Sequence, residues 1–148
     1  MNVTVRSVRP GDRAEWLRMR KALWGESPDE EQEREMDEEL ARDTDEVFFA
    51  ERPGGGLCGF LEARLHPWAE GCDSTPVGYI EGWYVDEDMR RCGVGRALVE
   101  AAEAWARSRG CRQMASDAVL GNEVSIQAHG ALGYVDIGRI VQFKKDLD

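Results

Sequence analysis

The sequence predicts a single α/β domain built on a mixed sheet, and three observations carry that prediction. Strand-length apolar or alternating segments recur along the chain. Segments of helical periodicity stand between them, most clearly Val94, Ala97, Leu98, Ala101, Ala102 and Trp105. The 148 residues, 42% of them hydrophobic, suffice to bury one sizeable core.

Each element follows from local chemistry. Asn2 to Val8 alternates apolar and polar residues and reads as a strand. Pro10-Gly11-Asp12 is a turn, with Asp12 placed to cap a helix. Trp16, Leu17, Met19, Leu23 and Trp24 give that helix its apolar face, and Gly25 to Pro28 ends it. Pro28 and the acids after it suit a second helix start, since proline is tolerated in the first turn and carboxylates favour the N-terminal dipole. Met36, Leu40 and Ala41 supply its thin apolar stripe.

Val47 to Glu51 and Leu57 to Leu65 flank the turn Arg52-Pro53-Gly54-Gly55-Gly56 and predict a hairpin. A loop rich in glycine and proline covers His66 to Val77. Gly78 to Asp86, with Tyr79, Trp83, Tyr84 and Val85, predicts a strand. The strongest helix follows and stops at Gly110. Gln113 to Leu120 predicts another strand. Asn122 opens a helix with Ile126, Ala128 and Leu132 toward the core, ending at Gly133. Tyr134 to Lys144 predicts a closing strand.

Net charge is −10, and it is concentrated. Twelve acids lie between Glu26 and Glu46 against Arg34 and Arg42 alone. Such a surface repels nucleic acid and attracts cations; a solvated helix face would also account for it. Cys58, Cys72, Cys92 and Cys111 form no Cys-x-x-Cys pair, and His66 and His129 are the only histidines. Reduced thiols and no metal are therefore expected. No apolar run approaches the roughly 20 residues of a membrane span, and the start lacks a signal-peptide core. A cytoplasmic protein without membrane partners is expected.

Chemistry concentrates in Arg90-Arg91-Cys92-Gly93-Val94-Gly95-Arg96, between a strand and the long helix. Glycines let the backbone approach a ligand, N–H groups converge, and the helix dipole and three arginines add positive charge. A phosphate or pyrophosphate suits such a turn. The Walker pattern fails for want of Gly-Lys-Ser/Thr. The Rossmann fingerprint fails at Leu98 and through its mid-chain position. Gln/Arg-x-x-Gly-x-Gly/Ala is satisfied by Arg90, Gly93 and Gly95.

On these residues the chain resembles the GCN5-related N-acetyltransferases over nearly its whole length. It further resembles the aminoglycoside 6′-N-acetyltransferases through Arg20-Lys21-Ala22-Leu23-Trp24, Gly71 to Val77, Glu81-Gly82, Met114-Ala115-Ser116-Asp117 and Asn122 to Tyr134. The resemblance implies one N-acetyltransferase domain over residues 1–148, with splayed central strands flanked by helices. It implies acetyl-coenzyme A held by backbone groups of Trp83, Tyr84 and Val85 and by the turn itself: Arg90, Arg91, Cys92, Gly93, Val94, Gly95 and Arg96. Asn122 matches a position on the pantetheine arm, although an asparagine there also suits a helix N-cap.

The resemblance further implies acetyl transfer to an aminoglycoside 6′-amine. Glu81 would bind the ammonium and relay its proton, sharing a strand face with Val85 because their separation is even. The Val85 N–H would meet the oxyanion. Asp117 would be a second carboxylate, and Trp24 and Trp68 aromatic contacts for sugar rings. His129 stands where many members of the superfamily have an acidic tyrosine, so it is expected to contact coenzyme A or to pack. Asp136 lies two residues before Gly138, where related enzymes can place a substrate-binding acid. A homodimer formed through the C-terminal strands is also implied. Another polyamine or a protein N-terminus remains an alternative acceptor, and a non-catalytic acyl-coenzyme A sensor an alternative function.

Overall fold

The computed structural model describes residues 3–25 and 27–148, so Asn2 and Glu26 lie outside the described residues. The chain forms two compact units, Met1–Ser116 and Asp117–Asp148.

The first unit contains one five-stranded sheet in the order β1-β2-β3-β4-β5. The strands are β1 (Thr4–Ser7), β2 (Asp45–Glu51), β3 (Leu57–His66), β4 (Val77–Val85) and β5 (Met114–Ser116). The first four pair antiparallel, and β5 runs parallel to β4. The helices are α1 (Arg13–Trp24), α2 (Asp29–Ala41) and α3 (Val94–Ser108), with a 3-10 turn at Glu87–Met89. The α/β mixed sheet is as expected. The expected strand Gln113 to Leu120 is shorter, because parallel pairing covers only Gly78–Ile80 against Met114–Ser116. Beyond Ile80, β4 has no partner on β5, which ends at Ser116.

Glycines report which helix covers which face. A Cβ on Gly59 would sit 3.2 Å from Leu98 and 3.4 Å from Val94, so this face of β3 lies under α3. A Cβ on Gly82 would come within 2.6 Å of the Trp24 ring, so Gly82 faces α1. On the α1 and α2 side the core contains Trp16, Met19, Met36, Phe49 and Phe60, with Trp16 edge-on to Phe49 at 5.9 Å. On the other side α3 buries Val94, Leu98, Val99, Ala102 and Ala106.

Two helix expectations are corrected. Asp12 occupies the N-cap position of α1 but makes no side-chain cap. Its carboxylate takes two hydrogen bonds from Arg6, at 2.8 and 2.9 Å, and one from the Arg9 N–H. The charge-assisted fork outcompetes the cap. In α2 the buried positions are Gln32, Met36 and Glu39, whereas Leu40 is 50% exposed. The helix is turned so that its polar residues meet Arg20 on α1.

The second unit contains α4 (Glu123–Ala131) and no strand. Ile126, Ala128 and Leu132 are only half-buried within it. The expected closing strand Tyr134 to Lys144 is not formed, and Val135, Ile137, Ile140, Val141 and Phe143 are exposed. A strand needs a hydrogen-bonded neighbour, and this unit supplies none.

Candidate active site

A β-bulge places Glu81. On β3, Glu62 pairs with Gly82 and Ala63 with Ile80, so Glu81 is the extra residue on β4. A bulge shifts the alternation of side chains by one. Glu81 and Gly82 therefore share the α1 side, where Glu81 lines a cleft with Trp24. Val85 is directly opposite Gly59, which faces α3. The expectation that Glu81 and Val85 share a face is thus corrected: the bulge lies between the strict alternation and the structure.

The cleft has a volume of about 390 Å³. Five carboxyl groups line it, from Glu35, Glu38, Glu39, Glu62 and Glu81, against Arg20, Arg42 and Arg64. Trp24 forms part of the wall, 43% exposed and edge-on to Phe60 at 6.0 Å, with the Arg20 guanidinium 4.6 Å from its ring centre. It both packs and faces the cleft. Trp68 is 67% exposed on the loop after β3 and is not part of this wall.

Beneath the cleft lies a buried charge cluster that sequence reasoning missed. Arg20 donates to Gln32 at 2.8 Å, Glu39 at 2.9 Å and Glu62 at 2.5 Å, and also pairs with Glu35. The Trp16 indole N–H donates to Glu62 at 2.9 Å. Burial, then the charge and hydrogen bond of Glu62, push the Glu39 carboxyl well above the usual range, against the opposing pull of Arg20. The signal was present: Glu62 interrupts an apolar strand, and Arg20 follows Trp16 by one helical turn.

The Glu81 Oε1 atom lies 2.6 Å from His66 Nε2, at the end of β3, and the His66 ring stacks on Tyr79 with centroids 4.5 Å apart. Sequence reasoning had placed His66 at the start of a loop. That loop is held to the segment just before β5, because Gln113 Oε1 accepts from the N–H groups of Asp73 and Ser74 at 2.9 and 3.0 Å.

The far end of β4 presents backbone. The Asp86 N–H donates to Cys58 O on β3 at 2.7 Å. Alternation then directs the N–H and C=O of Tyr84 to β3 and those of Trp83 and Val85 to the opposite edge. Tyr84 O accordingly lies within 2.9 Å of where a Gly59 Cβ would sit. Of the three residues expected to pair with pantetheine, Trp83 and Val85 direct their backbone groups away from β3, and Tyr84 directs its own toward β3. The end of the strand is anchored by Asp86, which accepts from Arg18 at 3.0 Å, Arg52 at 2.9 Å and Tyr84 Oη at 3.0 Å. Burial alone would lift the Asp86 carboxyl, but the hydrogen bonds from Arg18, Tyr84 and Arg52 outweigh it and hold the pKa low.

The turn that follows fits a pyrophosphate. Arg91 has φ 63° and Gly93 φ 84°, both left-handed, so the chain curls twice before Val94. No side chain caps α3, which leaves its first N–H groups oriented for an anion. Gly95 permits close packing, since a Cβ there would be 3.1 Å from the Trp83 ring. Val94 is buried, and Arg91 and Arg96 are exposed. Arg90 Nε donates to Val85 O at 2.9 Å, bracing the turn against the strand. Cys92 Sγ lies 3.5 Å from Arg90 O, and all four cysteines are free thiols.

In the second unit, Asn122 caps α4 by accepting from the Ser125 N–H at 3.1 Å. His129 Nδ1 donates to Ser125 O at 2.7 Å, and its ring stands edge-on to Tyr134 at 5.9 Å. Asp136 accepts from the Gly138 N–H and from Arg139, bonds that hold its carboxyl below the usual range. Asp117 immediately follows β5.

The fold and this site define an acetyltransferase, and the comparisons agree. The model of the Acetyltransferase (GNAT) family matches residues 16–134, across both units. The chain belongs to this family, and within it to the aminoglycoside 6′-N-acetyltransferases. It is 43% identical to aminoglycoside N(6′)-acetyltransferase type 1 of Klebsiella aerogenes, covering 97% of this chain and 96% of the relative. The Stenotrophomonas maltophilia enzyme of the same name is 39% identical, covering 98% and 94%. Among solved structures, AAC(6′)-Iy in complex with the bisubstrate analog CoA-S-monomethyl-acetylneamine is similar, with a TM-score of 0.92, 32% identity and coverage of 99% and 100%.

Proposed function

We propose that the protein transfers the acetyl group of acetyl-coenzyme A to the 6′-amine of an aminoglycoside, by direct attack in a ternary complex, and thereby confers antibiotic resistance. The observation that carries this reading is Glu81, set by a bulge into a carboxylate-rich cleft on the same strand that leads to the uncapped N-terminus of α3. A polycationic amine suits the first end and a pyrophosphate the second.

Each step has a residue. Carboxylates of the cleft draw in the ammonium, and the Trp24 face supports a sugar ring. Glu81 takes one proton from the ammonium, and the freed nitrogen attacks the thioester carbonyl. The Val85 N–H, directed away from β3, meets the developing oxyanion. The thiolate leaves and takes a second proton from the nitrogen. Arg91, Arg96 and the first N–H groups of α3 hold the pyrophosphate. The roles of Asp117, Asn122, His129 and Asp136, which belong to the second unit, rest on the family resemblance alone.

Two further features belong to the proposal. Residues 1–148 act as one N-acetyltransferase domain, and two copies pair through the apolar segment around Val135 to Phe143, which is exposed in the isolated chain. Sedimentation at micromolar concentration should give a dimer; a monomer would remove this part. Among the described residues no helix is long and apolar enough to cross a membrane. Acetyl-coenzyme A supply places the reaction in the cytoplasm.

Incubating the purified protein with acetyl-coenzyme A and kanamycin or tobramycin should release coenzyme A thiol. No release above background across several aminoglycosides with a 6′-amine overturns the reading. Turnover on spermidine or on peptide N-termini alone would move it to another acceptor.

A further inference from the structure

We propose that His66 is a positioning residue for Glu81, donating its Nε2 proton to Oε1 and so aiming Oε2 at the acceptor ammonium. This rests on the reading that Glu81 takes the amine proton. The geometry carries it. Glu81 Oε1 and His66 Nε2 are 2.6 Å apart. Two lone pairs would repel at that distance, so a proton lies between them, and an ionised carboxylate has none to give. The imidazole is the donor.

The bulge explains why a positioning residue is needed. Glu81 is the residue without a cross-strand partner, so the ladder does not fix its side chain as it fixes those of its neighbours. His66 is fixed. It ends β3 opposite Val77, and its ring stacks on Tyr79 at an interplanar angle of 16°. The orientation thus passes from the sheet to the imidazole and from the imidazole to the carboxylate.

The proton balance is simple. An ammonium N–H bond breaks and a Glu81 Oε2–H bond forms; that proton later leaves to solvent water. His66 keeps its Nε2 proton throughout. The groups facing His66 are Glu81 and Tyr79 on β4. Arg64 lies two residues earlier on β3, its charge engaged by Asp45 of β2 at 3.0 Å.

Two variants separate orientation from folding. His66→Phe keeps the ring on Tyr79 and removes both nitrogens. His66→Gln keeps a donor. With acetyl-coenzyme A and kanamycin, His66→Phe should lower kcat about tenfold with either KM changed less than about threefold. His66→Gln should retain most of kcat. A His66→Phe enzyme within about twofold of the parent in kcat overturns the proposal. A parent without turnover on any 6′-amino aminoglycoside would instead defeat the underlying reading. Nitrogen NMR then still decides the pairing, since the chain has only two histidines. Glu81→Gln should move the His66 Nε2 resonance and leave that of His129 in place; an unmoved His66 resonance overturns the pairing.

Discussion

The two ends of β4 solve different problems with different materials. Near Ile80 the strand meets the carboxylate-lined cleft, proposed to hold the acceptor, which is made of side chains: Trp24, Glu81 and the carboxyl groups of α2. Past Val85 it meets the turn before α3, proposed to hold the cofactor, which is made of backbone: left-handed residues at Arg91 and Gly93 and an uncapped helix. Side-chain sites are selective and depend on a supporting structure. Here that support is the buried cluster of Arg20, Glu39 and Glu62 under the cleft floor. The backbone site needs little beneath it except small residues, such as Gly95 against Trp83. The difference predicts that substitutions near the cleft will affect stability and acceptor use together, and that substitutions in the turn will affect the cofactor alone.

The largest expected effect is on the floor. Glu62→Ala leaves the 3% exposed Arg20 without its shortest buried partner and should cost about 3 kcal/mol in denaturant unfolding. Asp37→Asn, at a solvent-exposed ion pair with Arg13, should leave the unfolding curve in place. Equal effects would mean that the cluster is not the support.

Glu81→Gln comes next. It should lower kcat about a hundredfold and leave the affinity for acetyl-coenzyme A unchanged. Gly82→Ala probes the same wall without touching a charge. Its methyl group would overlap the Trp24 ring, so the KM for the aminoglycoside should rise about tenfold, read from steady-state kinetics. At the other end, Arg91→Ala removes one exposed charge from the turn. It should raise the KM for acetyl-coenzyme A about five- to tenfold with the aminoglycoside KM unchanged.

The smallest effect is on pH. The Glu39 carboxyl is raised above its unfolded value, chiefly by burial, so the folded chain binds this proton more tightly than the unfolded one. Its contribution to stability is complete below the ordinary carboxylate range and declines as pH rises toward the raised value. The melting temperature should therefore fall from pH 6 to pH 9 more steeply in the parent than in Glu39→Gln. Parallel slopes would show that Glu39 is ionised in the fold.

The same contrast governs what could be read from the sequence. The left-handed turn before α3 was legible because glycines, arginines and a following helix are local signals. The mixed sheet and its helices were legible from periodicity. The bulge at Glu81 was not, because one extra residue between Ile80 and Gly82 leaves no mark on composition, yet it decides which face the carboxylate takes. The partnership of Arg20 with Glu62 joins residues far apart in the chain, and only the unexplained acid inside an apolar strand hinted at it. Tyr134 to Lys144 has strand chemistry but no strand neighbour in its own unit, and pairing is not a property of one segment.

The central claim is that the cleft serves a 6′-amine whose proton goes to Glu81. It is tested most directly by comparing a 6′-amino aminoglycoside with its 6′-hydroxy counterpart at matched concentration, following coenzyme A release. Turnover of the amino compound with none of the hydroxy compound, and loss of that turnover in Glu81→Gln, is the predicted result. Equal turnover of both compounds, or a Glu81→Gln enzyme as fast as the parent, would contradict it.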